Sequence, residues 1–473
     1  MNSSDPSAPK ARPITQNLSF LLGSDDFDFD ATTEPPKRIP TKFLRRIPKT
    51  DLHCHLDGSL RIPTLISLAQ QQNIPLPSHD PAHLAQHIFK HTYPSLADYL
   101  KPFAFTTAVL RTPAALDRAA FELACDQFAI GVRYFEVRFA PQLHAVPGEL
   151  GVEEVIAAVD GGLRRATGMA NAAREARCGR RREVSPWSSR AEPLFLAEGL
   201  ESDESDEEDE GPEFRYGIIV CAMRCFTRDF SPYYEEFCSW HDYNDDPHKV
   251  YGLASLALVK AAVAVRDKEK IPVVALDIAG QEDGYPAKDH VAAFDFAHKN
   301  FMRKTVHASE GFGPDSIFQA LSDLHADRIG HGLNLFSSSM VAEEREHREE
   351  FVEGLIESMA NSRTCIEVCL SSNLQTNPDL KNDLRLHPFR KMVERKLAVT
   401  LCSDNCTVSK TNVLREIRLA VDSYELTPHQ LRDIVLSGFK RSFMALPYIE
   451  KRKYNRSVIA YYDSLEKRFG LQD

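Results

Sequence analysis

Residues 49–60 read KTDLHCHLDGSL, and this stretch decides the fold that the sequence predicts. Its first half predicts a β-strand, in which successive side chains point to opposite faces. His53 and His55 then share one face, while Leu52 and Cys54 lie on the other. Two imidazoles at this spacing can chelate one metal ion. The pair alone is a weak signal, so the prediction depends on the rest of the chain.

Similar apolar, β-branched runs recur along the chain, with helical patterns between them. The predicted strands are Thr50–Leu56, Arg133–Ala140, Arg215–Met223, Val273–Ala279, Lys304–Ala308, Arg328–Gly332, Cys365–Leu370 and Val399–Ser403. Amphipathic stretches such as Pro113–Phe128 and Pro314–Leu324 separate them. Because parallel strands need helical crossovers, the repeats predict an α/β fold, a (β/α)8 TIM barrel over residues 45–473 with extra terminal helices. Counting strands leaves a doubly wound open sheet as the alternative.

Two segments depart from this alternation. Residues 1–44 are polar and contain several prolines, which predicts an arm that is partly disordered. Residues 168–212 begin basic and end in the run ESDESDEEDE at 201–210, which predicts a disordered charged insertion in the barrel. The insertion would join a helix to the third strand, on the face opposite the end where barrel active sites lie.

Charge and cysteine content restrict the class of partner. The net charge is −11, and without the acidic side chains of residues 201–210 it would be −3, so nothing indicates binding to nucleic acid or an anionic membrane. The 10 cysteines contain no C-x-x-C pair, which favours buried reduced thiols over disulfides, with a structural zinc site as a minor alternative. The first residues lack the apolar core of a signal peptide. We expect a cytoplasmic protein, with the nucleus left open.

Polar residues also follow three later strands. His307 lies near the end of the fifth and Glu310 just beyond it, His331 lies near the end of the sixth, and Asp404 and Asn405 follow the eighth. Singly, each has an ordinary explanation, such as a helix cap, a solvated carboxylate or a hydrogen-bonded core imidazole. Together they fall at the carboxyl ends of the predicted strands, where TIM barrels build their active sites. Their common placement predicts one metal-dependent active site.

In the same order along the chain, these segments resemble the adenosine deaminase family of metal-dependent amidohydrolases. The matching segments are KTDLHCHLDGSL (49–60), GVRYFEVRFAPQ (131–142), VVALDIAGQE (273–282), VHASEGFG (306–313), DRIGHGLNL (327–335), EVCLSSNLQT (367–376) and VTLCSDN (399–405). The resemblance covers roughly residues 45–450 apart from the insertion. It implies a barrel of the amidohydrolase type.

The resemblance also implies a ligand set and catalytic roles. One Zn²⁺ per chain would be held by His53, His55, His307 and Asp404. His331 would orient or deprotonate a water that attacks C6 of the purine, and Asp404 would share that hydrogen bond. Glu310 would protonate ring N1, which requires a carboxyl with a raised pKa in a dry pocket.

Four further positions would contact the substrate. The resemblance implies that His55 lies beside it, that the N–H of Gly280 faces N3 of the base, and that Asp57 reaches a ribose hydroxyl. Asn405 stands where the family often has a second acid. An amide donates N–H to N7 at any pH, so this departure bears on pH profile and base preference rather than on reaction class. The fourth strand contains no lysine to form a bridging carbamate, which favours a single metal.

The activity implied is zinc-dependent hydrolytic deamination of adenosine or deoxyadenosine to the inosine product and ammonia, within purine metabolism. One alternative is a related aminohydrolase acting on an adenine nucleotide such as N6-methyl-AMP, or on free adenine. The other, from a different class, is a catalytically silent barrel that serves as a binding or scaffold protein. The expected partner is a small purine nucleoside, and the expected state is a monomer or weak oligomer.

Overall fold

The computed structural model describes residues 38–179 and 211–472. Within them, eight strands form one sheet in which each pairs in parallel with the next in chain order. The strands are β1 Lys49–His55, β2 Val132–Phe139, β3 Arg215–Met223, β4 Val273–Ala279, β5 Arg303–Ala308, β6 Arg328–His331, β7 Cys365–Val368 and β8 Ala398–Leu401. Every predicted strand is therefore found, with bounds shifted by at most two residues.

The sheet closes between its first and last strands. Just beyond β8, the N–H of Asp404 donates to the carbonyl of His53 at 2.7 Å, and the N–H of His55 donates to the carbonyl of Asp404 at 2.7 Å. Because the two ends of the sheet meet, the predicted TIM barrel is confirmed and the open-sheet alternative is wrong. The closure also fixes three predicted ligands through their own backbone.

Helices connect the strands and cover the outside of the barrel. In the described residues the α-helices are α1 Thr41–Arg46, α2 Ile62–Gln72, α3 Pro81–His87, α4 Leu96–Leu100, α5 Phe103–Val109, α6 Pro113–Ala129, α7 Pro141–His144, α8 Val152–Gly179, α9 Pro232–Trp240, α10 Pro247–Glu269, α11 Val291–Lys299, α12 Pro314–Ser322, α13 Arg348–Ser362, α14 Leu370–Thr376, α15 Phe389–Glu394, α16 Val413–Tyr424, α17 Pro428–Arg441 and α18 Tyr448–Phe469. Short 3₁₀ helices are found at Arg228–Phe230, Ala287–His290, Ser338–Met340, Pro378–Leu380 and Leu384–Leu386.

Local sequence explains where several helices begin. Thr112 caps α6 by accepting from the N–H of Ala115 at 3.2 Å, and proline occupies the first turn, where no N–H is needed. The α17 helix begins with a capping box between Thr427 and Gln430. These caps fix where the two helices begin.

The strands are buried on both faces, as expected when helices surround a parallel sheet. The predicted terminal helices are present as α17 and α18. Gly438 of α17 packs on the seam between β1 and β8, where an added Cβ would lie 2.0 Å from the hydroxyl of Thr50. The Tyr454 hydroxyl of α18 contacts the carbonyls of Arg133 and Glu213, at 2.9 and 2.8 Å. Both carbonyls lie at the amino ends of strands, so α18 closes that end of the barrel.

Helix α10 is long and apolar enough to cross a membrane by length and composition, but half of its most apolar window is buried within the fold. It connects β3 to β4 and packs against the sheet through residues such as Leu258 and Ala262. We therefore assign its apolar character to the barrel wall.

Two predicted boundaries need correction. The insertion was expected to begin at residue 168, but α8 continues to Gly179, because its later sequence is rich in alanine and arginine, which are strong helix formers. The Asn171 side chain also ties α8 to β3, accepting from the N–H of Phe214 at 2.8 Å and donating to its carbonyl at 2.9 Å. The folded body begins before residue 45, since α1 buries Phe43. The remainder of the predicted insertion, 180–210, and residues 1–37 of the predicted arm lie outside the described residues.

Candidate active site

Four predicted ligands converge at the carboxyl end of the barrel. The ligand atoms of His53, His55, His307 and Asp404 all lie within 4.8 Å of one another, and all four residues are buried. The Nε2 atom of His55 lies 3.3 Å from Nε2 of His53 and 3.3 Å from Nε2 of His307. The Oδ1 atom of Asp404 lies 3.4 Å from Nε2 of His53 and 3.5 Å from Nε2 of His55.

These separations fit four protein donors around a single ion. Nitrogen and oxygen ligands about 2.0–2.1 Å from a tetrahedral zinc ion lie about 3.3–3.4 Å from each other. The donor set, three imidazoles and one carboxylate, is also one that zinc accepts. The donor types and the four measured separations therefore fit a divalent metal ion.

Buried carboxylates orient two of the imidazoles. The Nδ1 of His53 donates to Glu367 at 2.9 Å, and the Nδ1 of His307 donates to Asp277 at 3.0 Å. Arg138 joins the two carboxylates, with 2.8 Å to Asp277 and 2.8 Å to Glu367. With Nδ1 occupied, each ring presents Nε2 to the centre, which is the usual arrangement around metal-binding histidines.

The backbone makes room for these rings. An added Cβ at Gly330 would lie 3.1 Å from Cε1 of His53, so glycine allows that ring to pack against β6. His331 and Asp404 adopt left-handed backbone with φ of 63° and 59°. Such conformations cost energy in residues with a Cβ and cluster at functional sites. They turn the chain sharply at the strand ends and aim both side chains at the centre.

Burial and neighbouring charges set the protonation of the ligands. Burial lowers the pKa of His55 to about 3, against the opposing charge of Asp404, so at neutral pH one of its ring nitrogens has a free lone pair. Burial would raise the pKa of Asp404, but the hydrogen bond and charge of His53 outweigh it and hold that pKa well below its usual range. The cluster therefore offers an anionic oxygen at Asp404 and a neutral imidazole at His55 to a cation.

Glu310 is placed by a second carboxylate that the sequence analysis did not single out. Glu282, which follows β4, accepts hydrogen bonds from four consecutive backbone N–H groups. These belong to Ser309 at 2.8 Å, Glu310 at 3.0 Å, Gly311 at 2.9 Å and Phe312 at 3.0 Å. The clamp fixes the loop after β5, and Oε2 of Glu310 then lies 3.7 Å from Nε2 of His331. The signal available in the sequence was the acid that ends VVALDIAGQE.

Burial favours the neutral form of both Glu310 and His331. Burial raises the pKa of Glu310 well above its usual value, and the charges of Asp404 and Glu282 raise it further. Burial lowers the pKa of His331 well below its usual value, although Asp404 opposes this. A carboxyl that stays protonated at neutral pH can donate a proton to a ring nitrogen.

The predicted sugar-binding residue Asp57 lies at the edge of the cluster, with Oδ1 3.9 Å from Nδ1 of His55. Its Oδ2 lies 3.6 Å from Nε2 of His144, which the sequence analysis missed. In the described part of the chain, Oδ1 of Asp57 and both ring nitrogens of His144 are buried without a hydrogen-bond partner. Buried polar atoms of this kind need a partner, so both side chains are available to a ligand. The signal for His144 was its position directly after the β2 motif.

Gly280 and Asn405 are placed differently from each other. Gly280 has φ of 104°, a backbone that favours glycine, while the nearest atom to an added Cβ is 3.5 Å away, so conformation rather than space demands glycine. The amide of Asn405 donates to the hydroxyl of Tyr99 at 2.7 Å. One of its N–H groups is thus already engaged, by a residue of α4 that lies outside every strand-end motif.

Comparison with known proteins gives one family. A family model described as adenosine deaminase matches residues 48–193 and 253–461. An adenosine deaminase of Mycolicibacterium vanbaalenii is 31% identical over 404 residues, which is 85% of this chain and 92% of the relative. A probable adenosine deaminase of Dictyostelium discoideum is 29% identical over 415 residues, which is 88% of this chain but only 43% of that longer relative.

Solved structures share the fold. An amidohydrolase of Burkholderia ambifaria with bound zinc gives a TM-score of 0.64 at 18% identity, covering 94% of this chain and 98% of that one. The apo N6-methyl-AMP deaminase of Arabidopsis thaliana gives a TM-score of 0.58 at 20% identity, covering 90% and 98%. Both likenesses support the (β/α)8 barrel fold.

Proposed function

The chain belongs to the adenosine deaminase family and is a hydrolase acting on carbon–nitrogen bonds, and from this premise we propose that it releases ammonia from adenosine and deoxyadenosine with one zinc ion per chain. The membership confirms the resemblance drawn from the strand-end motifs. The observation that carries the proposal is the convergence of His53, His55, His307 and Asp404 within 4.8 Å. Catalytic silence, the scaffold alternative, is disfavoured because the acid Glu310 accompanies the complete cluster.

The metal-binding role falls to these four side chains. Zinc is favoured by the mixture of imidazole and carboxylate donors, and a barrel of the same fold carries bound zinc. Bound there, the ion supplies a Lewis acid that makes water nucleophilic near neutral pH. Asp277 and Glu367 keep the imidazoles oriented, and Arg138 holds those two carboxylates in place.

Proton delivery falls to Glu310. Its raised pKa keeps the carboxyl protonated, so it donates to ring N1 and makes C6 electrophilic toward the water that His331 holds. Water adds at C6 through its oxygen; one of its two protons passes to the amino group and the other returns to the Glu310 carboxylate. The bond from C6 to that nitrogen then breaks, ammonia leaves, and ring N1 keeps the proton that Glu310 donated. The product is the 6-oxo purine.

Recognition of the sugar falls to Asp57, with His144 beside it. The unpaired oxygen of Asp57 can accept from a ribose hydroxyl, while its negative charge repels a phosphate. This favours a nucleoside over a nucleotide. Gly280 would present its N–H to N3 of the base. Asn405 would offer its remaining N–H to N7, since one is engaged by Tyr99.

Two further expectations accompany this proposal. We propose a cytoplasmic location, supported by free cysteines throughout the described part of the chain. A monomer or weak oligomer stays a prediction.

One experiment tests the activity. The purified full chain is supplied with adenosine, deoxyadenosine, adenine, AMP and N6-methyl-AMP, and ammonia release is followed before chelation, after chelation and after zinc is restored. We expect the two nucleosides to be preferred, with activity lost on chelation and regained with zinc. No release from any of the five would overturn the proposal, and preference for a nucleotide would overturn the assignment of Asp57.

A further inference from the structure

A chain of buried hydrogen bonds runs outward from His331. Nδ1 of His331 lies 3.1 Å from Nδ2 of Asn373, which is on α14 directly after β7. Oδ1 of Asn373 lies 3.1 Å from Nε2 of His387, and Nδ1 of His387 lies 3.1 Å from the backbone N of Phe389. The three side chains are 1%, 0% and 2% exposed, so water does not interrupt the chain.

The last hydrogen bond in this series, between His387 and Phe389, has a fixed donor and a fixed acceptor. A backbone N–H can only donate, so Nδ1 of His387 must accept from Phe389. The neutral imidazole of His387 then carries its proton on Nε2 and donates to Oδ1 of Asn373. The amide of Asn373 therefore turns its NH₂ group to His331, whose Nδ1 must accept. The proton of His331 is left on Nε2, the atom that faces Glu310.

The opposite arrangement fails at its last step. A proton on Nδ1 of His331 would require the oxygen of Asn373, which would turn the NH₂ group toward His387. His387 would then carry its proton on Nδ1 and present it to the N–H of Phe389 at 3.1 Å, donor against donor. An imidazolium at His331 fails similarly, because its Nδ1–H would face the amide N–H of Asn373. The backbone N–H of Phe389 thus sets the donor-to-acceptor direction of every hydrogen bond in the series.

We propose that Asn373 and His387 are positioning residues that hold His331 as the Nε2–H tautomer. In this state His331 donates a hydrogen bond to the attacking water and orients it, rather than accepting its proton. The proposal rests on the proposed deaminase function for its kinetic consequence, but the tautomer itself is a property of the protein alone. It decides between the two roles, orienting and deprotonating, that the sequence left open for His331.

Asn373→Asp is the sharpest variant, because a carboxylate of the same shape can accept but cannot donate. We expect His331 to take its proton on Nδ1 and kcat to fall by about 10²–10³-fold, since a wrong tautomer removes the catalytic hydrogen bond. KM and zinc content should change little. His387→Leu frees Asn373 to turn and should lower kcat by about 10-fold, whereas His387→Gln, which keeps a donor for Asn373, should recover much of that loss.

The tautomer is measured by ¹⁵N NMR of histidine-labelled, zinc-loaded protein, which distinguishes protonated ring nitrogens from unprotonated ones. If Asn373 and His387 only supported the fold, replacing Asn373 would not change which nitrogen of His331 carries the proton. His331 signals are assigned by their absence in His331→Gln. Asn171→Asp is the matched control: Asn171 bridges the backbone of Phe214 in the same donor-and-acceptor manner, at the opposite end of the barrel, and kcat should stay near the unmodified value.

A bare Nδ1 and protonated Nε2 on His331, inverted in Asn373→Asp, is the expected result. A protonated Nδ1 in the unmodified protein would overturn the proposal, and so would an Asn373→Asp protein with unchanged kcat. If Asn373→Asp does not fold, unchanged kcat in His387→Leu overturns it instead. A protein inactive on every purine but with Nε2–H on His331 would reject the proposed function and leave the tautomer assignment intact.

Discussion

Two layers of buried charge lie inside the same barrel, one around Arg328 and one around the histidine cluster. In the lower layer every charge is satisfied by the protein. Arg328 forms an ion pair with Glu136, donates to Glu367 at 2.6 Å and to the carbonyl of Arg441 at 3.1 Å. Glu136 also accepts from the N–H of Phe443 at 2.5 Å and from the hydroxyl of Tyr134 at 3.0 Å.

The upper layer uses similar groups but leaves its inner atoms facing one another. The ligand atoms of the three histidines and Asp404 all lie within 4.8 Å of one another, and four of their separations are 3.3–3.5 Å. Such a convergence is costly unless a cation occupies its centre. The comparison shows that buried charge alone does not make a site; donor atoms that the protein itself does not satisfy do.

The largest expected effect belongs to a residue at the rim of the upper layer. Glu310→Gln keeps the shape of the side chain but removes its transferable proton, so we expect kcat to fall by about 10³-fold or more. Zinc content and melting temperature should stay close to those of the unmodified protein, because Glu310 is not in the ligand cluster. Steady-state kinetics and metal analysis measure both. Glu353→Gln, at an exposed ion pair with Arg395, is the control. Near-normal kcat in Glu310→Gln would refute the role.

The next largest effect is expected in the upper layer, and zinc affinity distinguishes it from the matched change in the lower layer. Arg138→Met removes the donor shared by Asp277 and Glu367, leaving two buried carboxylates short of partners. We expect a loss of about 3–5 kcal/mol in the free energy of unfolding and a zinc affinity weaker by about 10–100-fold. Chemical denaturation and chelator competition measure these two quantities.

Arg328→Met is the matched change in the lower layer. It should lower the free energy of unfolding by a similar amount, about 3–5 kcal/mol, but change zinc affinity by less than about 3-fold. Arg328 contacts Oε1 of Glu367, whereas His53 uses Oε2. If both variants lost zinc affinity equally, the division into two layers would be wrong.

The smallest effect is expected far from both layers. Replacing residues 180–210 by a short Gly-Ser linker should change kcat by less than about 2-fold. The flanking residues join α8 to β3 at the amino end of the barrel, away from the cluster. The deletion begins after Gly179 because α8 continues that far. A large fall in kcat with an unchanged melting temperature would place this segment at the active site.

Much of the upper layer could be predicted from the sequence, because period-two alternation in a strand fixes which side chains share a face. That rule paired His53 with His55, and the carboxyl-end rule for barrels brought His307 and Asp404 to the same end. The family resemblance then named those two as ligands. The same rules did not find Asp277 or Glu367. A single charged residue in an apolar strand departs from the strand pattern, and its role cannot be predicted until its partner, distant in sequence, is known.

Contacts between segments that connect different strands could not be predicted from the sequence either. Glu282 acts on backbone N–H groups, which carry no residue-specific signal, and Tyr99 meets Asn405 across 306 positions of chain. The end of α8 was misplaced because a dense run of arginines was taken as loop, although arginine is a good helix former.

Anomalous diffraction from crystals of the purified protein, recorded on both sides of the zinc absorption edge, tests the central claim most directly. We predict one zinc peak per chain, bonded to Nε2 of His53, His55 and His307 and to Oδ1 of Asp404. A protein that takes up no metal would contradict it, as would a metal bound without Asp404.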